Sequence, residues 1–235
     1  MLWKLNAAFP SIVWQVYDWF LMPNAGYYFM QNACEPVHIQ FNPVDKKVTV
    51  LNRTYKQVSN LNAISEVYNL ESKSIFHESV SVSLGPTEVK ETTALDKVLN
   101  SEQGVTFVVL QIRDASGKVI SHNTYWISPD GDYRPLNKMA KTSVNTSIIK
   151  TESDMINVKW TIRVTNPSDK IAFFIRPQFM AGGKEVLPSF WSDGYFTLAP
   201  NESTTVSVTC PVASLGKSVR SIKVSGWNVE AKEYF

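Results

Sequence analysis

The sequence predicts a mostly β protein built from two consecutive immunoglobulin-like β-sandwiches, which follow a short segment of helical character. Three observations predict it. From Val37 onward apolar and polar residues alternate in short runs, and turn-forming residues separate those runs. The first 36 residues have a different, aromatic-rich composition. The length of 235 residues leaves room for two domains of ordinary size.

The opening segment is crowded with aromatic side chains. Nine of its first 29 residues are aromatic, namely Trp3, Phe9, Trp14, Tyr17, Trp19, Phe20, Tyr27, Tyr28 and Phe29. Residues 2–6 have the pattern of a strand end, and residues 12–21 are apolar on nearly every side, which is typical of a helix buried in a large protein. Pro23 ends that predicted helix. A second helix is predicted over 25–34, before Pro36.

The first sandwich is predicted over residues 37–128. Candidate strands cover 37–41, 47–51, 61–69, 75–82, 88–95, 105–113 and 118–127. Turn chemistry separates them, most clearly at residues 114–117, where Asp-Ala-Ser-Gly favours a hairpin. Seven short strands in about 90 residues are typical of an immunoglobulin-like sandwich.

The second sandwich is predicted over residues 129–235, and it begins with a linker. Residues 128–141 contain Pro129, Asp130-Gly131 and Pro135 and few apolar side chains, a composition typical of a connecting loop. Candidate strands follow at 142–150, 157–166, 171–180, 195–198, 204–210 and 221–225. Trp126, Trp160 and Trp227 fall in strand patterns and are predicted to fill the sandwich cores.

Charge and hydropathy exclude several kinds of partner. Twenty-three basic against 21 acidic residues leave a net charge of +2, which is too small for a nucleic-acid footprint. Pro10, Gln15 and Asp18 interrupt the apolar opening, so it falls short of the roughly 20 residues that a membrane span needs. We therefore predict neither nucleic acid nor a membrane as a partner.

Motifs for catalysis or metal binding are missing from the sequence. Cys34 and Cys210 form neither a disulfide framework nor a metal pair, and His38, His77 and His122 lack ligand spacing. No nucleophile elbow, phosphate-binding loop or dinucleotide fingerprint occurs. The sequence thus predicts no metal and no cofactor, and it gives no support to acyl-transfer or nucleotide chemistry.

One aromatic turn leaves two interpretations open. Residues 190–196 place four aromatic side chains around the polar residues Ser192, Asp193 and Gly194. Trp191 and Tyr195 could form a surface on which a sugar ring stacks, as in a carbohydrate-binding module. Alternatively, the turn packs against a neighbouring domain, since contiguous exposed aromatics usually mark an interface.

A family resemblance is carried by the opening segment. Residues 3–11, WKLNAAFPS, with Trp14-Gln15 and Asp18, resemble the pattern W-x-L-N-x-x-W-P-S-x-x-W-Q-x-x-D at the end of the catalytic barrel of glycoside hydrolase family 2. Residues 24–28, 35–40, 123–126, 187–193 and 225–228 continue the likeness. They look most like the exo-β-D-glucosaminidase branch and its endo-β-mannosidase relatives.

The resemblance implies that residues 1–36 are the last strand and helix of a truncated (β/α)8 barrel, followed by the two C-terminal immunoglobulin-like domains. The catalytic glutamates would lie upstream of Met1, so the fragment alone would be inactive and accessory. The parent would hydrolyse β-linked glucosamine, or alternatively mannose, oligosaccharides with retention, and a periplasmic or extracellular location is favoured. Trp3 matches a tryptophan beneath the sugar ring, and Asn6 is the nearest polar candidate for substrate binding.

Some expectations stay open at the sequence level. The chain departs from the family pattern at Phe9 and Ala7, which leaves the exact sugar open. Besides a carbohydrate-binding module, an assembly or adhesion sandwich that pairs through edge strands remains a rival. The apolar residues 1–36 are expected to pack onto the first sandwich, to self-associate with another copy, or to be poorly ordered.

Overall fold

A computed structural model describes residues 5–10, 15–216 and 218–235. It divides into two compact units. Residues 30–139 form one unit, here called the first sandwich. Residues 140–235 form the second sandwich, together with the described residues up to Phe29, here called the N-terminal segment. The sequence placed residues 129–139 with the second sandwich, whereas their contacts group them with the first.

The first sandwich contains two antiparallel sheets. Helix α1 (Ala25–Ala33) precedes it, and helix α2 (Asp96–Ser101) lies between two of its strands. The strands are β1 (Val37–Asn42), β2 (Lys47–Asn52), β3 (Val58–Asn69), β4 (Ser74–Leu84), β5 (Val89–Ala94), β6 (Thr106–Arg113) and β7 (Val119–Ile127). The sheet orders are β1-β2-β5 and β4-β3-β6-β7. All seven predicted strands are confirmed.

Alternation builds the core of this sandwich. In β3 every second residue from Leu61 to Val67 is buried, and in β6 Val108, Leu110 and Ile112 are fully buried. They pack against β1 and β2, where Ile39 and Val50 are also fully buried. Burying an aliphatic side chain of this size contributes about 1.5–3 kcal/mol, so the period of two read from the sequence accounts for the fold.

The second sandwich has the same two-sheet plan. Its strands are β8 (Asn145–Ser153), β9 (Asn157–Thr165), β10 (Ala172–Ala181), β11 (Lys184–Glu185), β12 (Phe190–Trp191), β13 (Phe196–Leu198), β14 (Ser203–Pro211), β15 (Arg220–Ser225) and β16 (Lys232–Tyr234). One sheet has the order β12-β14-β9-β8, and the other β11-β10-β15-β16 with β13 paired to β10. The short strands β11, β12 and β16 were not predicted, because two or three residues carry no readable period.

Two of the three predicted core tryptophans are not among the core residues. Trp126 is half-buried and lies outside the core cluster of the first sandwich. Trp160 packs edge-on against the buried Phe179, with ring centroids 5.0 Å apart. Trp227, by contrast, is 47% exposed, so the prediction that it fills a core is wrong. The neighbouring Asn228 takes the interior position instead. Its side chain accepts a hydrogen bond from the Phe173 amide and is 2% exposed.

A buried asparagine locks one corner of the first sandwich. Asn52 is 1% exposed, and its amide nitrogen donates to the carbonyls of Lys56 and Gly85 at 2.8 and 2.7 Å. The Thr54 hydroxyl donates to the Asn52 side-chain oxygen at 2.8 Å. The Glu88 carboxylate accepts from the Gly85 amide at 2.6 Å. Asn52 matches a glycosylation triplet, but here its amide nitrogen is occupied by two backbone carbonyls.

The second sandwich contains the same corner. Asn166 is fully buried, and its amide nitrogen donates to the carbonyls of Lys170 and Ala199 at 2.7 and 3.0 Å. The Ser168 hydroxyl donates to the Asn166 side-chain oxygen at 2.8 Å. The Glu202 carboxylate accepts from the Ala199 amide at 2.8 Å.

The two corners correspond residue by residue. Residues 52–56 read NRTYK and residues 166–170 read NPSDK, while their partners are GPTE at 85–88 and APNE at 199–202. Backbone bonds also match, since the Asn52 amide donates to Glu88 and the Asn166 amide to Glu202, both at 2.9 Å. The two sandwiches therefore share a short repeat in sequence as well as in architecture.

Candidate functional site

The N-terminal segment is anchored to the second sandwich through Tyr28. This ring is 4% exposed and belongs to the core of the second sandwich. It lies beside Tyr195, with ring centroids 6.1 Å apart, and against Gly194. A Cβ atom at Gly194 would lie 2.9 Å from Cε2 of Tyr28, so a glycine is needed for this approach. The expectation that the segment packs onto the first sandwich is therefore corrected.

Further aromatic contacts extend this anchor. The rings of Tyr27 and Tyr28 pack edge-on with their centroids 5.1 Å apart, and the ring centroids of Tyr17 and Tyr27 are 5.0 Å apart. Burial, and then the hydrogen bond with Tyr27, raise the pKa of Tyr17 to about 12. Burial also raises the pKa of Tyr28 well above its ordinary value. Both phenols stay neutral at physiological pH, so the contact is made of uncharged rings.

Polar contacts border the aromatic anchor. The Arg176 guanidinium lies 2.8 Å from both carboxylate oxygens of Glu185, and the Gln178 amide donates to the same carboxylate at 2.7 Å. Arg176 also contacts the Met22 sulfur at 2.7 Å. The void between these residues and Tyr28 measures about 10 Å³, enough for no more than one water molecule. This place is a packed joint and has no room for a sugar ring.

The first helix predicted in the N-terminal segment is not observed in its described part. Residues 15–21 form a turn and isolated bridges. The Asp18 carboxylate accepts the backbone amides of Phe20 and Met22 at 2.8 and 2.9 Å, and Leu21 has a φ of 61°. Aspartate side chains compete in this way with helical hydrogen bonds. The second predicted helix is confirmed as α1.

Large apolar side chains of the N-terminal segment face away from the second sandwich. Their exposed fractions lie between 47% and 64% for Leu5, Phe9, Trp19, Phe20 and Leu21. The backbone that carries them is held in place, because the Tyr17 amide donates to the Leu5 carbonyl and the Asn24 amide to the Val16 carbonyl, both at 3.0 Å. The segment is thus fixed on one side and apolar on the other, which is typical of an interaction surface.

The structure separates the predicted site residues. Trp3 lies outside the described residues. Asn6 is exposed and forms a bridge with Tyr17. Trp191 is 7% exposed and packs in the core, so its ring has no free face on which a sugar could stack. Tyr195 is half-buried against Tyr28 and Phe174. The platform interpretation of Trp191 therefore has no geometric support, and Trp191 packs within the core of its own sandwich and not against a neighbouring domain.

Neither a metal site nor a membrane helix is found in the described part of the chain. No group of three His, Cys, Asp or Glu side chains is placed to hold a metal there. None of its helices is long and apolar enough to cross a bilayer. Of the thiols, Cys34 is exposed and Cys210 is buried, and burial raises the pKa of Cys210.

Comparison with known proteins connects both sandwiches to one group of enzymes. Residues 122–229 match the family described as exo-beta-D-glucosaminidase Ig-fold domain, and residues 46–129 match the mannosidase Ig/CBM-like domain. Both sandwiches are thus similar to immunoglobulin-like domains of exo-β-D-glucosaminidases and mannosidases. The chain corresponds to the C-terminal region of exo-β-D-glucosaminidases, as the resemblance predicts.

Individual relatives agree with this assignment. The exo-β-D-glucosaminidase of Amycolatopsis orientalis is 28% identical over 96% of this chain, and that of Streptomyces avermitilis is 29% identical over 96%. A lily mannosylglycoprotein endo-β-mannosidase is 24% identical. The crystal structure of the Amycolatopsis orientalis exo-chitosanase superposes with a TM-score of 0.88 at 26% identity, over 97% of this chain and 30% of that one. The chain spans about a quarter of the length of the curated relatives, 24% and 28% for the two bacterial enzymes.

Sequence reasoning missed the residues that make the joint. In the sequence, Tyr28 is one of nine aromatic residues of the opening segment and part of the motif at residues 24–28, and Gly194 lies in a polar turn. Arg176 and Glu185 lie nine positions apart and were not singled out. A signal was present in the small residue Gly194 between Asp193 and Tyr195, because a glycine among aromatics often marks a close approach.

Proposed function

We propose that this chain is the accessory C-terminal region of a retaining family 2 glycoside hydrolase, and that the catalytic barrel covers the exposed side of the N-terminal segment. The proposal rests on one observation. A segment fixed to the second sandwich by Tyr28 leaves Trp19, Phe20 and Phe9 between 48% and 64% exposed. Residues of this size are usually buried against a partner surface.

The proposed parent acts on β-linked glucosamine, or alternatively on β-linked mannose, in oligosaccharides. Relatives with both names support these two sugars. Retaining hydrolysis needs two carboxyl groups about 5–5.5 Å apart, one as acid/base and one as nucleophile. The family resemblance assigns both to barrel strands upstream of Met1. In this proposal the two sandwiches support the barrel, and Trp3 and Asn6 contribute to its sugar site.

An activity assay tests the accessory role. The isolated chain is incubated with a chromogenic β-glucosaminide and a chromogenic β-mannoside, and we expect no turnover above buffer with either. The same chain joined to the coding sequence upstream of Met1 should hydrolyse one of them. Turnover by the isolated chain that survives repurification would contradict the proposal, as would an upstream sequence without two glutamates at the barrel positions.

The exposed side of the N-terminal segment should also drive self-association of the isolated chain. We expect the double variant Trp19→Ser, Phe20→Ser to raise the dissociation constant of self-association at least about tenfold. The reason is that truncating a buried interface aromatic typically costs about 2 kcal/mol or more. Light scattering over a concentration series measures this dissociation constant.

The matched control is Tyr55→Ser, which removes an aromatic side chain that is 90% exposed in the first sandwich. This variant should associate like the unaltered chain. A double variant that associates as strongly as the unaltered chain would show that Trp19 and Phe20 do not form the interaction surface.

A further inference from the structure

The first sandwich carries an open groove on the outer side of its β3–β4 pair. The groove has a volume of about 330 Å³, at the lower end of the range of about 300–1,000 Å³ for small-molecule sites. Its lining consists of Asn60, Leu61, Asn62, Ser81, Val82, Ser83 and Ala115. Two strands form its floor, and Ala115, in the turn between β6 and β7, contributes to its lining.

A β-bulge places Asn60 at the groove. Val58 pairs with Leu84 and Leu61 with Val82, so β3 has one more residue than β4 between these pairs. Asn60 lies in this bulge with a φ of 58°. Bulges redirect a side chain, and asparagine is one of the few residues that adopt this left-handed conformation readily.

The groove offers unused hydrogen-bonding groups. The Ser81 hydroxyl donates to the Asn62 side-chain oxygen at 3.1 Å. Within the described part of the chain, no group accepts a hydrogen bond from the amide nitrogens of Asn60 or Asn62, or pairs with the Ser83 hydroxyl. Each side-chain amide nitrogen provides two donors, and the hydroxyl is both donor and acceptor. The groove can therefore bind a ligand that is itself rich in hydroxyl groups.

The charge distribution narrows the class of ligand. Among the residues that the structure describes, no charged side chain lines the groove. At its border, the Arg113 guanidinium donates to the Gln111 side chain at 2.8 Å, and the Asp114 carboxylate accepts the Ser116 hydroxyl at 2.6 Å. Both groups stay charged, but they are hydrogen-bonded within their own strand and turn and do not line the groove. A cationic amino sugar would find no carboxylate in the groove and a phosphate no cation, whereas an uncharged sugar matches the amides and hydroxyls.

We infer that the Asn60–Asn62–Ser83 groove binds an uncharged oligosaccharide. The site lies in the first sandwich and shares no residue with the Tyr28 joint or with the proposed barrel site. It thus adds a sugar-binding site to the accessory region, and it does not depend on the proposed function of the parent.

An NMR titration of the full chain tests the inference. Mannohexaose and cellohexaose serve as uncharged probes, and chitosan hexamer serves as the cationic comparison. We expect at least one uncharged probe to shift the backbone signals of residues 60–62 and 81–83 and the side-chain amides of Asn60 and Asn62. Asn60→Gly should weaken this binding about tenfold, as expected for the loss of one or two hydrogen bonds.

Glycine accepts the φ of 58° at this position, so Asn60→Gly removes the amide without straining the bulge. Asn201→Gly is the matched control, because Asn201 is exposed and has a φ of 61° in the second sandwich. This control should bind like the unaltered chain. Equal binding by Asn60→Gly, tighter binding of chitosan hexamer, or no shift with either uncharged probe would overturn the inference.

Discussion

Replacing Asn166 by alanine is expected to destabilise the second sandwich by about 3–5 kcal/mol. The Asn166 side chain is fully buried and donates to the carbonyls of Lys170, Leu198 and Ala199. Alanine leaves these carbonyls without their donor, and each unsatisfied buried group costs about 1–3 kcal/mol. Urea unfolding measures the loss in the free energy of unfolding. Hydrogen exchange of the backbone amides in β9 and β14 tests whether that loss lies in the second sandwich.

The duplicated corner supplies an internal comparison. Asn52→Ala should destabilise the first sandwich to a similar extent, while leaving the exchange of β9 and β14 unchanged. Asn145→Ala serves as a control, because Asn145 is exposed at the start of β8, and surface changes usually stay within about 0.5 kcal/mol. A loss below about 1 kcal/mol for Asn166→Ala would mean that the corner relaxes or takes up water.

Breaking the joint at Tyr28 is expected to have the second large effect. Tyr28→Ala should destabilise the docked N-terminal segment by about 3–4 kcal/mol, as for other buried aromatic truncations. Gly194→Ala should cost about 1–3 kcal/mol, because its Cβ would meet the Tyr28 ring at 2.9 Å. Limited proteolysis within residues 15–29 reports the release of the segment.

A double-mutant cycle separates the contact from other effects. If Gly194 is needed because of the Tyr28 ring, alanine at 194 should cost far less in the Tyr28→Ala background, which removes the clashing atoms. Additive losses would show that alanine at 194 acts through another neighbour. Gly104→Ala is a suitable control, since no heavy atom of the described residues lies within 4 Å of a Cβ placed there.

The longer strands could be predicted because the pattern of apolar residues within each one indicates which of its side chains are buried. In β3 the residues that face the core recur at every second position, whereas β6 is a nearly continuous apolar run that is buried on both faces. Both patterns are recognisable without knowledge of a distant partner. The same rule could not find β11 or β12, which have two residues each and exist because β10 and β14 offer them an edge.

The helix prediction is wrong for residues 15–21 because helix formation there depends on a packing surface that the segment's own sequence does not show. An amphipathic or all-apolar helix gains most of its stability from the surface that it packs against. In the described residues this stretch leaves Trp19 and Phe20 exposed, and the Asp18 carboxylate binds two backbone amides locally. Composition alone could not show that these hydrogen bonds to Asp18 would replace the backbone hydrogen bonds of a helix.

The site was predictable in outline but not in its contacts. The resemblance carried by residues 3–11 and 225–228 indicates the enzyme group, and the domain matches bear it out. The joint between Tyr28 and Gly194 spans 166 positions and depends on a close approach that no spacing rule reveals. Trp191 illustrates the same difficulty, because an aromatic turn has the same sequence whether its rings face solvent or the core.

The repeated asparagine corner also limits which sequences each sandwich can tolerate. Residues 52–56 and 166–170 make the same hydrogen bonds to residues 85–88 and 199–202. An apolar core position can exchange one aliphatic side chain for another of similar volume at little cost. A buried amide that satisfies several backbone groups at once has no such substitute, so each corner accepts fewer side chains than the core that surrounds it.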